Sequence, residues 1–377
     1  MTTDQLNDRL LKFLDASPTP FHAVRTMAND LEQAGFQYLY ESESWDLRPG
    51  SRYYTTRNGS SIIAFSLGSE PVANCGLRML GAHTDSPCLK LKPNPVVTKK
   101  GYLQLGVEVY GGVLMNPWFD RDLSLAGRIS YRNKNGDICN GLINFTDPVA
   151  TIPSLAIHLD RDANSTRPVN PQRHLLPILM QSDEKPVFNK LLLAQAKKEI
   201  DDIEAILSHE LSFYDTQPAC VAGINGQFIS SARLDNLLSC FTGMNSLMAA
   251  SDGASSLLVC NDHEEVGSTS AAGAQGPFLR STLERIVTER DDFHRCLSQS
   301  MLFSVDNAHG VHPNYTDKHD ANHGPLLNQG PVIKVNANQK YASNSETAAF
   351  FQHLCEQAGV PWQSFVTRSD MACGSTI

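Results

Sequence analysis

Ser255-Ser256-Leu257-Leu258-Val259-Cys260-Asn261-Asp262-His263-Glu264-Glu265-Val266-Gly267-Ser268 sets a short apolar run directly against a cluster of acids. Bounded by polar residues, the run reads as a buried strand. Adjacent carboxylates at the end of such a strand are costly unless something pairs with them. A metal ion is the usual partner, because it lowers carboxylate pKa values and lets one acid ligate while the other handles protons. Taken alone, Asp262, Glu264 and Glu265 read more plainly as a solvated acidic loop. The rest of the chain decides between the two.

Working outward, two further strand ends carry chemistry. Leu77-Arg78-Met79-Leu80 leads into Gly81-Ala82-His83-Thr84-Asp85-Ser86-Pro87, and Met301-Leu302-Phe303-Ser304-Val305 into Asp306-Asn307-Ala308-His309. His83 and Asp85, two apart in extended chain, point the same way. An imidazole on a metal with a carboxylate steering it is the natural pairing, and a surface turn at Ser86-Pro87 is the alternative. Asp235 stands at the start of a helix expected from Leu237 to about Ala250, where an acid is ordinarily a cap. In open α/β sheets, sites form at the carboxyl ends of strands, so these residues can converge. The all-nitrogen-and-oxygen set suits zinc, manganese or cobalt. Its richness in carboxylates suggests two metals sharing a bridging acid, ~3.5–4 Å apart.

The chain has 377 residues, enough for two or three domains, with the 41% hydrophobic and 19% charged content of an ordinary soluble globular protein. No run approaches the ~18–20 apolar residues of a membrane span, and the N-terminus lacks a signal-peptide pattern. Nine scattered cysteines with no Cys-x-x-Cys pair read as reduced thiols in a cytoplasm. A net charge of −9 argues against nucleic acid or an anionic membrane as partner. Asn58-Gly59 between two strand-like runs predicts a hairpin. Residues 94–220 read as a β-rich module with one helix around 188–207. Within it, His158 interrupts an apolar run and reads as a core histidine. Lys334, in Val332-Ile333-Lys334-Val335, reads as a charge on the exposed face of a strand.

Taken together and in order, four motifs resemble the aspartyl aminopeptidase family of metallopeptidases. They are Gly81–Pro87, Ala232-Arg233-Leu234-Asp235-Asn236, Asp262–Ser268 and Asp306-Asn307-Ala308-His309-Gly310-Val311-His312-Pro313-Asn314-Tyr315. Val107-Glu108-Val109-Tyr110-Gly111-Gly112 and Trp118–Leu123 are similar to that family as well. The resemblance implies an α/β fold: a mixed-sheet α/β/α metallopeptidase domain (1–92 and 222–377) with an inserted β-rich oligomerisation domain (93–221). It implies two zinc ions per subunit, with manganese or cobalt as substitutes. His83 and Asp306 would hold one metal, Asp235 would bridge, and Glu265 would hold the second. Asp85 would steer His83, and Glu264 would be the general base that activates water and protonates the leaving amine. Lys334 and His309 would bind substrate, and His158 would be lent to a neighbouring subunit's site. The expected substrates are peptides with N-terminal Asp or Glu, and the expected assembly is a tetrahedral dodecamer of dimers.

One departure stands out. The chain stops at Gly374-Ser375-Thr376-Ile377, before the histidine that completes the family's second metal site, which reads as a truncated end. The second site is therefore expected to be empty, weak or completed by solvent. A co-catalytic aminopeptidase or deacylase of other specificity, and an inactive scaffold, are the alternative readings.

Overall fold

A computed structural model of the chain describes residues 2–182, 188–251 and 253–374. The end at residues 375–377, on which the expectation of a truncated terminus falls, lies outside them. Two helices, Thr3–Asp15 and Pro20–Gln33, come first. Thr2 and Gln5 close a capping box on the first, and Pro20 starts the second where a missing N–H costs nothing. The strands follow in chain order: β1 (Gln37–Tyr38), β2 (Arg52–Arg57), β3 (Ser61–Ser66), β4 (Arg78–His83), β5 (Cys88–Lys99), β6 (Tyr102–Tyr110), β7 (Leu123–Asn133), β8 (Ile138–Asn144), β9 (Ile178–Gln181), β10 (Ile203–Asp215), β11 (Cys220–Ala222), β12 (Phe228–Ser230), β13 (Ser256–Asn261), β14 (Met301–Ser304), β15 (Val332–Val335) and β16 (Gln363–Val366). The chain forms two compact units, Met1–Phe303 and Ser304–Ile377.

The first sheet of unit 1 is mixed, in the order β1-β2-β3-β13-β4-β14. Its central strands are apolar without a break because both faces are covered. Ile62 and Ala64 of β3, with Leu258 and Cys260 of β13, face the two N-terminal helices and the helix Leu234–Ala249. Ile63, Phe65, Leu257 and Val259 face the other way, against Phe278 and Leu283 of the helix Phe278–Ile286. The expected hairpin joins β2 to β3, with Asn58 (φ 57°) and Gly59 (φ 64°) both left-handed. β13 runs antiparallel to β3 but parallel to β4, with Asn261 opposite His83. That parallel pairing brings both strand ends to the same edge.

The second sheet, β8-β7-β10-β5-β6-β9, is antiparallel throughout. Leu89, Leu105, Ile129, Leu211 and Phe213 build its core with Leu192 and Ala196 of the helix Phe188–Ala196. That helix was expected to run to 207 but ends at Ala196. From Ile203 onward the chain is β10, laddered along β7 from Asn133 to Leu123. Pairing with a distant strand overrides a helical spacing that only local residues support. Arg128 of β7 ties this sheet to the first. Its guanidinium donates to the Asn58 carbonyl at 2.6 Å, pairs with Glu210 and lies 4.5 Å from the Phe21 ring centroid.

In unit 2, β15 and β16 pair in parallel, and the helix Ser345–Ala358 starts on a capping box closed by Asn344 and Thr347. Among the described residues, no helix is long and apolar enough to cross a membrane.

Candidate metal centre

His83 is the last residue of β4 and is 1% exposed. Its Nδ1 donates to the Asp85 main-chain carbonyl at 3.0 Å, with the Asp85 carboxylate at 3.4 Å. A proton on Nδ1 puts the lone pair on Nε2, the tautomer of a metal-ligating histidine. Nε2 lies 3.3 Å from Asp235 Oδ1 and 4.0 Å from Glu264 Oε2. From below, Cys240 Sγ donates to the His83 carbonyl at 3.0 Å, fixing the strand end on the helix Leu234–Ala249.

The acids after β13 sit on a tight turn. His263 (φ 68°) and Gly267 (φ 94°) are both left-handed, and a short 3-10 helix spans Glu264–Val266 between them. The Asp85 carboxylate holds this turn from inside, Oδ1 accepting the Glu264 N–H at 3.2 Å and Oδ2 the Glu265 N–H at 3.1 Å. Asp85 thus anchors the two acids as well as His83, a role the sequence did not suggest. Burial works to raise its carboxyl, but the bonds and charge from His83, with Tyr110 and Glu265, outweigh it and hold the group below its ordinary value.

Asp235 arrives from the third direction. The expected helix begins earlier, at Leu234, but Asp235 itself has non-helical backbone (φ −82°, ψ 108°). Its carbonyl accepts from Ser86 Oγ at 2.7 Å, which ties the helix start to the loop after β4. Its carboxylate turns toward His83 instead of serving as the cap expected of an acid at a helix start, where the N-cap residue is Arg233. Donor atoms of His83, Asp235 and Glu265 all lie within 4.8 Å of one another.

The remaining candidates lie on other segments of the chain. In unit 2, Lys334 is not an exposed strand charge: its Nζ donates to Asp306 Oδ2 at 3.1 Å and to the Asn307 carbonyl at 3.0 Å, and its side chain is 15% exposed. The His309 ring meets Phe365 edge-on, centroids 6.2 Å apart. His158 is not a core histidine either. It lies in an exposed turn between Ile157 and Leu159, themselves exposed, because the segment after Ile152 leaves the second sheet.

Residues 13–377 match the model of the family described as aminopeptidase I zinc metalloprotease (M18). The chain belongs to the M18 family. It is 59% identical over 377 residues to a "Probable M18 family aminopeptidase 2" of Ectopseudomonas mendocina, covering 99% of this chain and 88% of that relative. A chain in the cryo-EM structure of the Ape4 and Nbr1 complex superposes with a TM-score of 0.95 at 39% identity, over 99% of this chain and 77% of that one. The S. cerevisiae mApe1 dodecamer gives 0.83 at 29%, over 95% and 84%. This M18 protein is a metallo-aminopeptidase with a mixed α/β fold.

The residues present fit the zinc implied by the M18 family. Burial above all, against the attraction of His83 and aided by repulsion from Asp235, Asp85 and Glu264, pushes the Glu265 carboxyl up to about 7. So many acids around one imidazole are stable as anions only with a cation among them. The donors are a nitrogen and carboxylate oxygens, which suit zinc.

Proposed function

We propose that the protein removes N-terminal Asp or Glu from peptides, with His83, Asp235 and Glu265 as metal ligands and Glu264 as the general base. The convergence of three ligand atoms within 4.8 Å beside Glu264 carries this reading. A divalent cation held there lowers the pKa of water and polarises a peptide carbonyl. Glu264 takes the proton of the attacking water and delivers it to the departing amine. Asp85 keeps His83 and the 264–265 turn in register while this happens. From unit 2 we assign Asp306 as a metal ligand and Lys334 and His309 as substrate-binding residues, on the likeness of their motifs. The family's use of two zinc ions is part of the same reading.

Choosing a carboxylate side chain requires a cation or several donors, which Lys334 would supply. Hydrolysis of Asp-, Glu-, Leu- and Ala-anilides tests this. The Asp and Glu substrates are expected to be cleaved far faster, and Lys334→Ala to raise KM for them alone. Equal turnover of all four would favour an aminopeptidase of other specificity. We further assign residues 93–221 as an oligomerisation domain inserted between 1–92 and 222–377, building a cytoplasmic dodecamer from dimers with His158 lent to a neighbour. A structural neighbour solved as a dodecamer and the exposed apolar side chains of Leu155, Ile157 and Leu159 support this. Light scattering on the full chain checks it.

A further inference from the structure

We propose that the Tyr110–Gly111 corner at the end of β6 positions the metal-binding acids, acting on Asp85 through the tyrosine hydroxyl and on Glu265 through the bare glycine backbone. This rests on the ligand assignment above and adds to it the last residue of β6 and the glycine that follows it. Tyr110 Oη donates to Asp85 Oδ2 at 2.7 Å, the same oxygen that accepts the Glu265 N–H. The hydroxyl is therefore an added donor on the buried carboxylate that holds the 264–265 turn. Without it, Asp85 keeps its main-chain partners but loses the bond that orients the carboxylate from the second sheet.

Gly111 acts by contact. A Cβ built there would stand 2.9 Å from Glu265 Cβ and 3.3 Å from Glu265 Oε2, so any side chain must push the acid aside. Gly111 is also left-handed, at φ 68°, which turns the chain away from β6. Its neighbour Gly112 has nothing within 4 Å of a built Cβ. Gly136, in the turn between β7 and β8, has φ 93° and equally open space. The three glycines therefore separate contact from backbone strain. Tyr110 and Gly111 touch the site through Asp85 and Glu265, which makes them positioning residues.

Zinc titrated calorimetrically into the metal-free full chain tests the proposal. Tyr110→Phe and Gly111→Ala are each expected to weaken zinc binding about 10–100-fold, the usual consequence of losing support behind a metal ligand. Turnover should fall with KM unchanged. Gly136→Ala, which shares the strain but not the contact, and Gly112→Ala, which has neither, should bind zinc as the wild type does. Tyr110→Phe adds no atom and carries the test if Gly111→Ala fails to fold. A Tyr110→Phe protein with a lowered Tm but wild-type zinc affinity and turnover would overturn the proposal, since the corner would then be merely structural. Glu265→Gln in the same titration tests the ligand assignment. Weak binding there beside normal binding in Tyr110→Phe and Gly111→Ala removes the positioning role alone. Normal binding in Glu265→Gln removes the assignment itself.

Discussion

Both sheets of unit 1 have six strands, yet among the described residues it is strand ends of the first that carry two of the three converging donor groups, His83 and Glu265, while Asp235 arrives on a helix. The difference lies in strand direction. β4 and β13 run parallel, so the loops after His83 and Asn261 leave from one edge and their side chains meet. In the antiparallel second sheet, successive strands end at opposite edges, so consecutive loops cannot pool their acids. What that sheet can do is press one corner against a site built elsewhere, and β6 does this with Tyr110 and Gly111. Parallel strands collect chemistry, and the antiparallel sheet braces it.

The comparison breaks if the acids of the first sheet prove idle. Glu264→Gln should lower kcat by about 10²–10⁴-fold, the range for losing a general base, with zinc content and KM unchanged. Steady-state kinetics with metal analysis read this out, and unchanged kcat removes Glu264 from the chemistry. Next come the two cores. Phe65, at 0% exposure in the first, and Phe213, at 1% in the second, should each cost about 3–5 kcal/mol when cut to Ala. Denaturant unfolding followed by two probes should give one coincident transition, because Arg128 and Tyr110 tie the sheets together. Separate transitions would show the second sheet to be an independent support.

A smaller effect concerns pH. In the metal-free protein Glu265 titrates at about 7 against an ordinary 4.5. A carboxyl raised in the folded state adds stability that is full below about 4.5 and is lost as pH rises through about 7. Melting temperature should therefore carry a downward contribution between those values. Zinc should remove it, because protons and metal compete for the same oxygens. A Glu265→Gln protein should lack that contribution with or without zinc. Smallest of all, Arg132→Ala removes an exposed cross-strand pair with Glu204 (2.8 Å) from the second sheet. Its expected cost is below about 1 kcal/mol in the same unfolding experiment.

Much of the first sheet was legible locally. The unbroken apolar runs of β3 and β13, the Asn58-Gly59 turn and the acids after Cys260 each announce themselves within a few residues. The end of the helix at Ala196 did not, because the β7 ladder that claims Ile203–Asp215 lies far away in sequence. His158 and Lys334 misled for a related reason. Period and neighbours suggest burial or exposure, but packing decides it, and the first is exposed while the second is held by Asp306.

By itself, the order of residues determined which groups are chemically able to act: His83, Asp235, Glu264 and Glu265 carry their donor atoms in any conformation. It also determined the strands that end beside three of them, through apolar patterning that needs no distant partner. Only the tertiary structure decided that Asp85 holds the 264–265 turn, that Tyr110 completes its hydrogen bonds, and that Gly111 lies where a side chain would displace Glu265. Those contacts join residues about 25 to 180 positions apart. Local propensity carries no information over such distances, and only packing around a shared core brings them together.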